Sequence, residues 1–95
     1  AAFLAGPEPT RGALAALWWD ARGDWGRAHR AAQADSTPAG AAVHAYLHRK
    51  EPDPDNARYW YARAGRDEAK IPLDAERDAL LGELLATTTT EGERR

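Results

Sequence analysis

The sequence contains no cysteine, and this absence excludes several kinds of site at once. Disulfide scaffolds, thiol nucleophiles and Cys-containing zinc sites all require it, so any metal would need histidine and carboxylate ligands. Lysine is scarce too, since Lys50 and Lys70 are the only two. With a formal net charge of −2, the chain has no broad basic surface that could neutralise phosphates. We therefore expect no nucleic-acid partner.

Long apolar runs are also missing. No segment approaches the roughly 18 consecutive apolar residues that a membrane span needs. The amino terminus has no basic segment followed by a long apolar stretch, which is the pattern of a secretory signal. We therefore expect a cytoplasmic protein without a membrane partner.

Residue patterns typical of enzymes are scarce. Ser36 is the only serine and lies where it would cap a helix, and the sequence has no glycine-rich phosphate loop. The acidic residues fall mainly in predicted caps and first turns, where the helix dipole accounts for them. An enzyme is therefore not favoured, and the sequence predicts no catalytic residue and no cofactor.

What the sequence has in abundance is alanine, with apolar residues recurring at intervals of three and four. This periodicity is typical of amphipathic helices and leaves no place for strands. A chain of 95 residues suffices for one hydrophobic core. The sequence predicts a single all-α domain over residues 10–86, preceded by a flexible segment at 1–9 and followed by a disordered tail at 87–95.

Start and stop signals divide this domain into five helices. Each predicted helix begins with a residue that can cap it, and a glycine follows the first and the fourth. The predicted helices run from Thr10 to Arg22, from Asp24 to about Ala34, from Ser36 or Thr37 to about Lys50, from Asp53 to Gly65, and from Asp74 to about Ala86. Because the connections are short, helices that follow one another are expected to form antiparallel hairpins.

The first two hairpins are similar in sequence. A shift of 29 residues places Asp24 over Asp53 and Ala28 over Ala57 without a gap. Small residues in both helices and an aspartate in the turn resemble the tetratricopeptide repeat. The positions that carry the resemblance are Ala16, Trp19, Gly23, Asp24, Trp25 and Ala28 in the first copy, and Ala45, Asp53, Ala57, Tyr61 and Ala64 in the second. The resemblance implies two stacked antiparallel hairpins, with the fifth helix as a C-terminal cap.

A second resemblance concerns the stretch from Trp18 to Arg66. Its Trp-Trp-Asp, His-Ala-Tyr-Leu-His and Tyr-Trp-Tyr patterns are similar to those of small bacterial proteins, and that likeness implies no known activity.

The tetratricopeptide resemblance also implies a concave groove for a protein or peptide partner, or for a second copy of the chain. In that groove Asp20 and Arg49 would be neighbours, either as an ion pair, which we expect, or as charges offered to a peptide. Tyr59 and Arg63, four residues apart on the fourth helix, could anchor a partner or simply cover the edge of the core. The predicted partner-binding residues are Leu17, Asp20, Tyr46, Arg49, Tyr59 and Arg63.

The three histidines form a candidate metal site. His44 and His48 are four residues apart and point to one side of their helix, while His29 lies on the apolar stripe of the preceding helix. Stacked hairpins would bring His29 and His44 together, and Asp20 or Glu51 would complete a zinc site. The alternative is that these side chains are hydrogen-bonded structural groups.

Two functions therefore stand as hypotheses. The favoured one is a non-enzymatic helical-repeat module that binds a peptide or protein. The other is a small His-based metal-binding protein or metal-dependent enzyme. A third interpretation is that the chain belongs to a longer solenoid of the same repeats.

Overall fold

The structure, a computed structural model, describes residues 5–9 and 12–93. Over these residues the chain is all-helical and has no strand, as its alanine content and its periodicity predict. Five helices follow one another: α1 (Gly12–Ala21), α2 (Trp25–Gln33), α3 (Pro38–Lys50), α4 (Pro54–Ala64) and α5 (Leu73–Glu93). Thr10, the predicted cap of α1, lies outside the described residues.

Local capping chemistry sets most helix ends where the sequence predicts them. Asp24, Thr37 and Asp53 each accept a hydrogen bond from the backbone N–H three residues later, which satisfies a donor that the first turn leaves free. At the end of α4, Gly65 adopts a left-handed conformation with φ of 71°, which a side chain would disfavour. The first three connections between helices are therefore short and defined.

The hydrophobic core lies where α1, α2, α3 and α5 meet. Leu17, Val43 and Leu47 are fully buried at its centre, and Leu80 and Leu81 of α5 join them. A second, smaller cluster joins Ala57 and Tyr61 of α4 to α3. Contacts join α1 to α2, α2 to α3 and α3 to α4, while α5 contacts both α1 and α3.

The last helix differs in length from its prediction. It begins at Leu73 and continues to Glu93, beyond the expected end near Ala86 and into the segment expected to be disordered. Nothing in that segment breaks a helix except Gly92, because threonine is only a weak helix former rather than a breaker. Among the described residues no helix combines the length and the apolar character that crossing a bilayer requires.

The connection between α2 and α3 packs closely against the helices on either side. The Asp35 carboxylate accepts hydrogen bonds from the backbone N–H of Ala13, at 3.0 Å, and from that of Thr37, at 2.9 Å. Gly40 lies against the same segment, where an added Cβ would fall 2.2 Å from the carbonyl oxygen of Asp35. This contact fixes α3 relative to α2, the two helices that carry the histidines.

Candidate metal centre

The three histidines come together at the contact between α2 and α3. His44 and His48 lie one helical turn apart on α3 and are both buried, with 2% and 7% of their surface exposed. His29 projects from the facing side of α2 and is partly exposed. The spacing of four residues explains why the rings of His44 and His48 lie on one side of α3. The packing of α2 against α3 brings the ring of His29 to them.

The ring nitrogens are close enough to share one ligand. The Nε2 atoms of His29 and His44 are 2.9 Å apart, and one nitrogen from each of the three rings lies within 4.8 Å of those from the other two. Zinc–nitrogen bonds of 2.0–2.1 Å in tetrahedral geometry separate ligand nitrogens by about 3.3 Å. Accepting an ion would require shifts of only a few tenths of an ångström between His29 and His44.

Two buried ring nitrogens are left without a hydrogen-bond partner among the described residues. They are the Nδ1 atoms of His44 and His48. A neutral imidazole has one donor and one acceptor nitrogen, so neither tautomer of His44 satisfies its Nδ1. Because unsatisfied buried polar atoms are uncommon in proteins, this cluster is not explained as a closed hydrogen-bonded network.

The surroundings of His29 and His44 favour the neutral form of both rings. Burial, followed by the proximity of His29 and His48, lowers the pKa of His44 to about 4. Burial is also the main reason that the pKa of His29 is lowered, and His48 adds to the effect. At neutral pH these two rings are therefore uncharged, the form in which imidazole binds metals.

Two tryptophans cover the faces of the histidine rings. Trp60 of α4 stacks on His44 with ring centroids 3.8 Å apart, and Trp25 stacks on His29 at 4.7 Å. Trp25 is held in place because its Nε1 donates to the carbonyl oxygen of Leu47 at 2.9 Å. Sequence reasoning did not place Trp25 or Trp60 beside the histidines. Trp25 lies four residues before His29 and could have been found from that spacing.

Of the two carboxylates expected to complete the site, only Glu51 lies beside it. Its Oε1 is 3.4 Å from Nδ1 of His48. Asp20 instead accepts hydrogen bonds from the Tyr46 hydroxyl and the Lys50 ammonium, each at 2.6 Å.

A third carboxylate, that of Asp53, lies near His48 and Glu51. It already accepts hydrogen bonds from Asn56 as the cap of α4.

Three of the four residues predicted to line a groove on the first helices lie inside the fold. Leu17, Asp20 and Tyr46 are all buried. The expected Asp20–Arg49 ion pair is wrong, because Lys50 reaches Asp20 and Arg49 turns toward α5. The tertiary packing of α5 over α1 and α3, which a two-hairpin alignment does not include, explains the difference.

Arg49 binds Glu76, a buried acid that sequence reasoning missed. Glu76 in the first turn of α5 is only 5% exposed and accepts from Arg49 Nη1, at 2.7 Å, and from the Tyr61 hydroxyl. An acid at a helix start is usually explained by the helix dipole, so nothing in the sequence singles this one out.

Tyr59 and Arg63 form a pair on the outer side of α4. Tyr59 is 52% exposed, and Arg63 donates from Nη1 to its hydroxyl at 3.1 Å. The Arg63 guanidinium also lies over the Trp60 ring, 5.4 Å from its centroid. Of the six predicted partner-binding residues, these two share one exposed surface.

No protein-family model, curated protein or solved structure matches this chain, so the interpretation of the site rests on its own geometry.

Proposed function

We propose that the protein binds a first-row divalent metal ion, with zinc as the best fit, through His29, His44 and His48. The observation that carries the proposal is the convergence of three imidazole nitrogens within 4.8 Å of one another. The lowered pKa values of His29 and His44 support it, because neutral imidazole is the form that binds a metal ion. Imidazole suits zinc, copper, nickel and iron, and the chain has no thiolate to favour softer ions.

The test uses protein purified without a histidine tag. Elemental analysis followed by equilibrium dialysis against zinc should find one ion per chain. His29→Gln should weaken binding by more than about tenfold, since even the loss of a group that only supports a ligand costs 10- to 100-fold. His29 is the variant of choice because its partial exposure makes the fold least dependent on it.

The matched control is Gln33→Ala, which changes an exposed, uncharged residue one turn further along α2. It should bind zinc like the unaltered protein, and circular dichroism should show that both variants are folded. If the unaltered protein binds zinc, copper, nickel or iron no more tightly than His29→Gln does, the metal-binding proposal is wrong.

A second candidate function is a helical-repeat interaction module that binds a peptide or protein. We propose that α1–α2 and α3–α4 are stacked antiparallel hairpins of a tetratricopeptide-like repeat, with α5 as the cap. The burial of Ala28 and Ala57 and the capping roles of Asp24 and Asp53 support this, since each pair lies 29 residues apart. The cytoplasmic location expected from the sequence stays a prediction.

The specific observation that favours this candidate is the exposed pair on α4. Arg63 lines a cavity of about 190 Å³ beside Trp60, and its guanidinium has no carboxylate partner among the described residues. An acidic peptide would place a carboxylate on Arg63 and an apolar group against Tyr59. Self-association by sedimentation velocity and a screen of acidic peptides should show binding that Arg63→Ala removes.

Arg58→Ala is the control for that screen, because Arg58 is exposed on the same helix and pairs with Asp55. If Arg63→Ala and Arg58→Ala bind every peptide equally, and neither changes self-association, this surface does not bind partners.

A further inference from the structure

We infer that the metal centre keeps one coordination position open for an exogenous ligand, either water or a small anion such as azide. The inference rests on the proposed function, since it concerns the same three histidines. It distinguishes two kinds of zinc site: structural sites have four protein ligands, whereas catalytic sites have three and leave the fourth position to water or substrate.

The first argument is the count of protein ligands. Among the described residues, the group whose ligand atoms lie within 4.8 Å of one another contains His29, His44 and His48 and no fourth side chain. Asp20 is engaged by Tyr46 and Lys50. The side chains that the structure describes therefore supply no fourth ligand.

The second argument is the position of Glu51. Its Oε1 lies 3.4 Å from Nδ1 of His48, and its side chain is about half exposed. A carboxylate facing the second nitrogen of a metal-binding histidine commonly accepts its proton and so orients the ring. We therefore assign Glu51 as a positioning residue: with a metal bound, its carboxylate would accept the proton of His48 Nδ1, which leaves Nε2 for the ion.

The third argument is access. Trp60 covers the face of His44 and Trp25 covers that of His29, so the indoles close two sides of the centre. His29 and Glu51 are partly or largely exposed, which leaves an approach along them. A zinc ion there would lower the pKa of its water to about 7, so that the water releases a proton to solvent near neutral pH.

The experiment uses cobalt(II), which occupies sites of this kind and reports its coordination through visible absorption. Titrating azide into the cobalt-loaded protein should shift the spectrum to saturation at one azide per metal. Glu51→Gln should bind cobalt about tenfold more weakly, because His48 loses its orienting partner, and should keep the azide response. Asp55→Asn, which alters another exposed acid, should behave like the unaltered protein.

The outcomes separate this inference from the proposed function. If neither zinc nor cobalt binds, the proposed function fails. If cobalt binds and azide leaves the spectrum unchanged, the fourth position is filled by the protein and the inference is overturned. An azide response that appears only in Glu51→Gln would identify Glu51 as the fourth ligand and overturn it as well.

Discussion

Replacing each tyrosine in turn by phenylalanine tests whether hydrogen bonds to the buried acids Asp20 and Glu76 stabilise the fold. Tyr46 donates to Asp20 Oδ2 at 2.6 Å, and Asp20 is only 4% exposed. Tyr46→Phe keeps the ring and removes the donor, so one buried carboxylate oxygen loses its partner while Lys50 still binds the other. A hydrogen bond to a charged group contributes about 1.5–3 kcal/mol, so we expect a loss of about 2 kcal/mol.

Thermal unfolding followed by circular dichroism measures this loss. For a domain of this size each kcal/mol lowers Tm by roughly 4–8 °C, so Tm should fall by roughly 8–16 °C. Tyr61→Phe should behave similarly, because Tyr61 donates to the buried Glu76. The control is Tyr59→Phe, whose hydroxyl accepts from Arg63 at the surface, and it should change stability by less than about 0.5 kcal/mol. If Tyr46→Phe and Tyr59→Phe melt at the same temperature, the reasoning about buried acids is refuted.

Three further predictions follow from burial and close packing. The pKa of His44 is about 4 in the folded chain against its ordinary 6.5, so the unfolded state takes up its proton first as pH falls. The free energy of unfolding of the metal-free protein should therefore fall by about 2 kcal/mol between neutral pH and about pH 5. Urea titrations at each pH should show that this decrease is absent from His44→Gln. Burial and the hydrogen bonds to their acids raise the pKa values of Tyr46 and Tyr61, so stability should fall as pH rises above about 10, and it should fall less when both are phenylalanine. Gly40→Ala should destabilise the fold, because its Cβ meets a backbone oxygen that cannot move aside, whereas Gly82→Ala has open space and should stabilise α5 by up to about 1 kcal/mol in the same melts. Equal melting temperatures for the two glycine variants would contradict this account of the packing.

Helix ends were predictable because they depend on neighbours in the sequence. Asp24, Thr37 and Asp53 satisfy free N–H groups three residues away, and Gly65 adopts a conformation that glycine favours. The start of α5 was predicted within one residue, but its end at Glu93 was not, because no glycine or proline near Ala86 marks a stop. Where such signals are present, local chemistry determines the boundary.

The histidine cluster was predictable only in part, for a related reason. The spacing of His44 and His48 fixes their common side of α3, whereas the approach of His29 depends on how α2 packs. Trp60, which stacks on His44, comes from a later helix that reaches the cluster only in the folded chain. The groove on the first helices was placed from a repeat alignment, which could not show that α5 contacts α1 and α3.

The stacking of indoles on two of the histidines gives the protein an optical reporter of its own. Trp60 and Trp25 lie in van der Waals reach of the rings that would hold the ion, so a paramagnetic metal arriving there should quench their fluorescence. The other two tryptophans, Trp18 and Trp19, lie on α1 and contact each other. Replacing those two by phenylalanine would leave tryptophan emission from Trp25 and Trp60 alone, and metal binding could then be followed in solution without any attached dye.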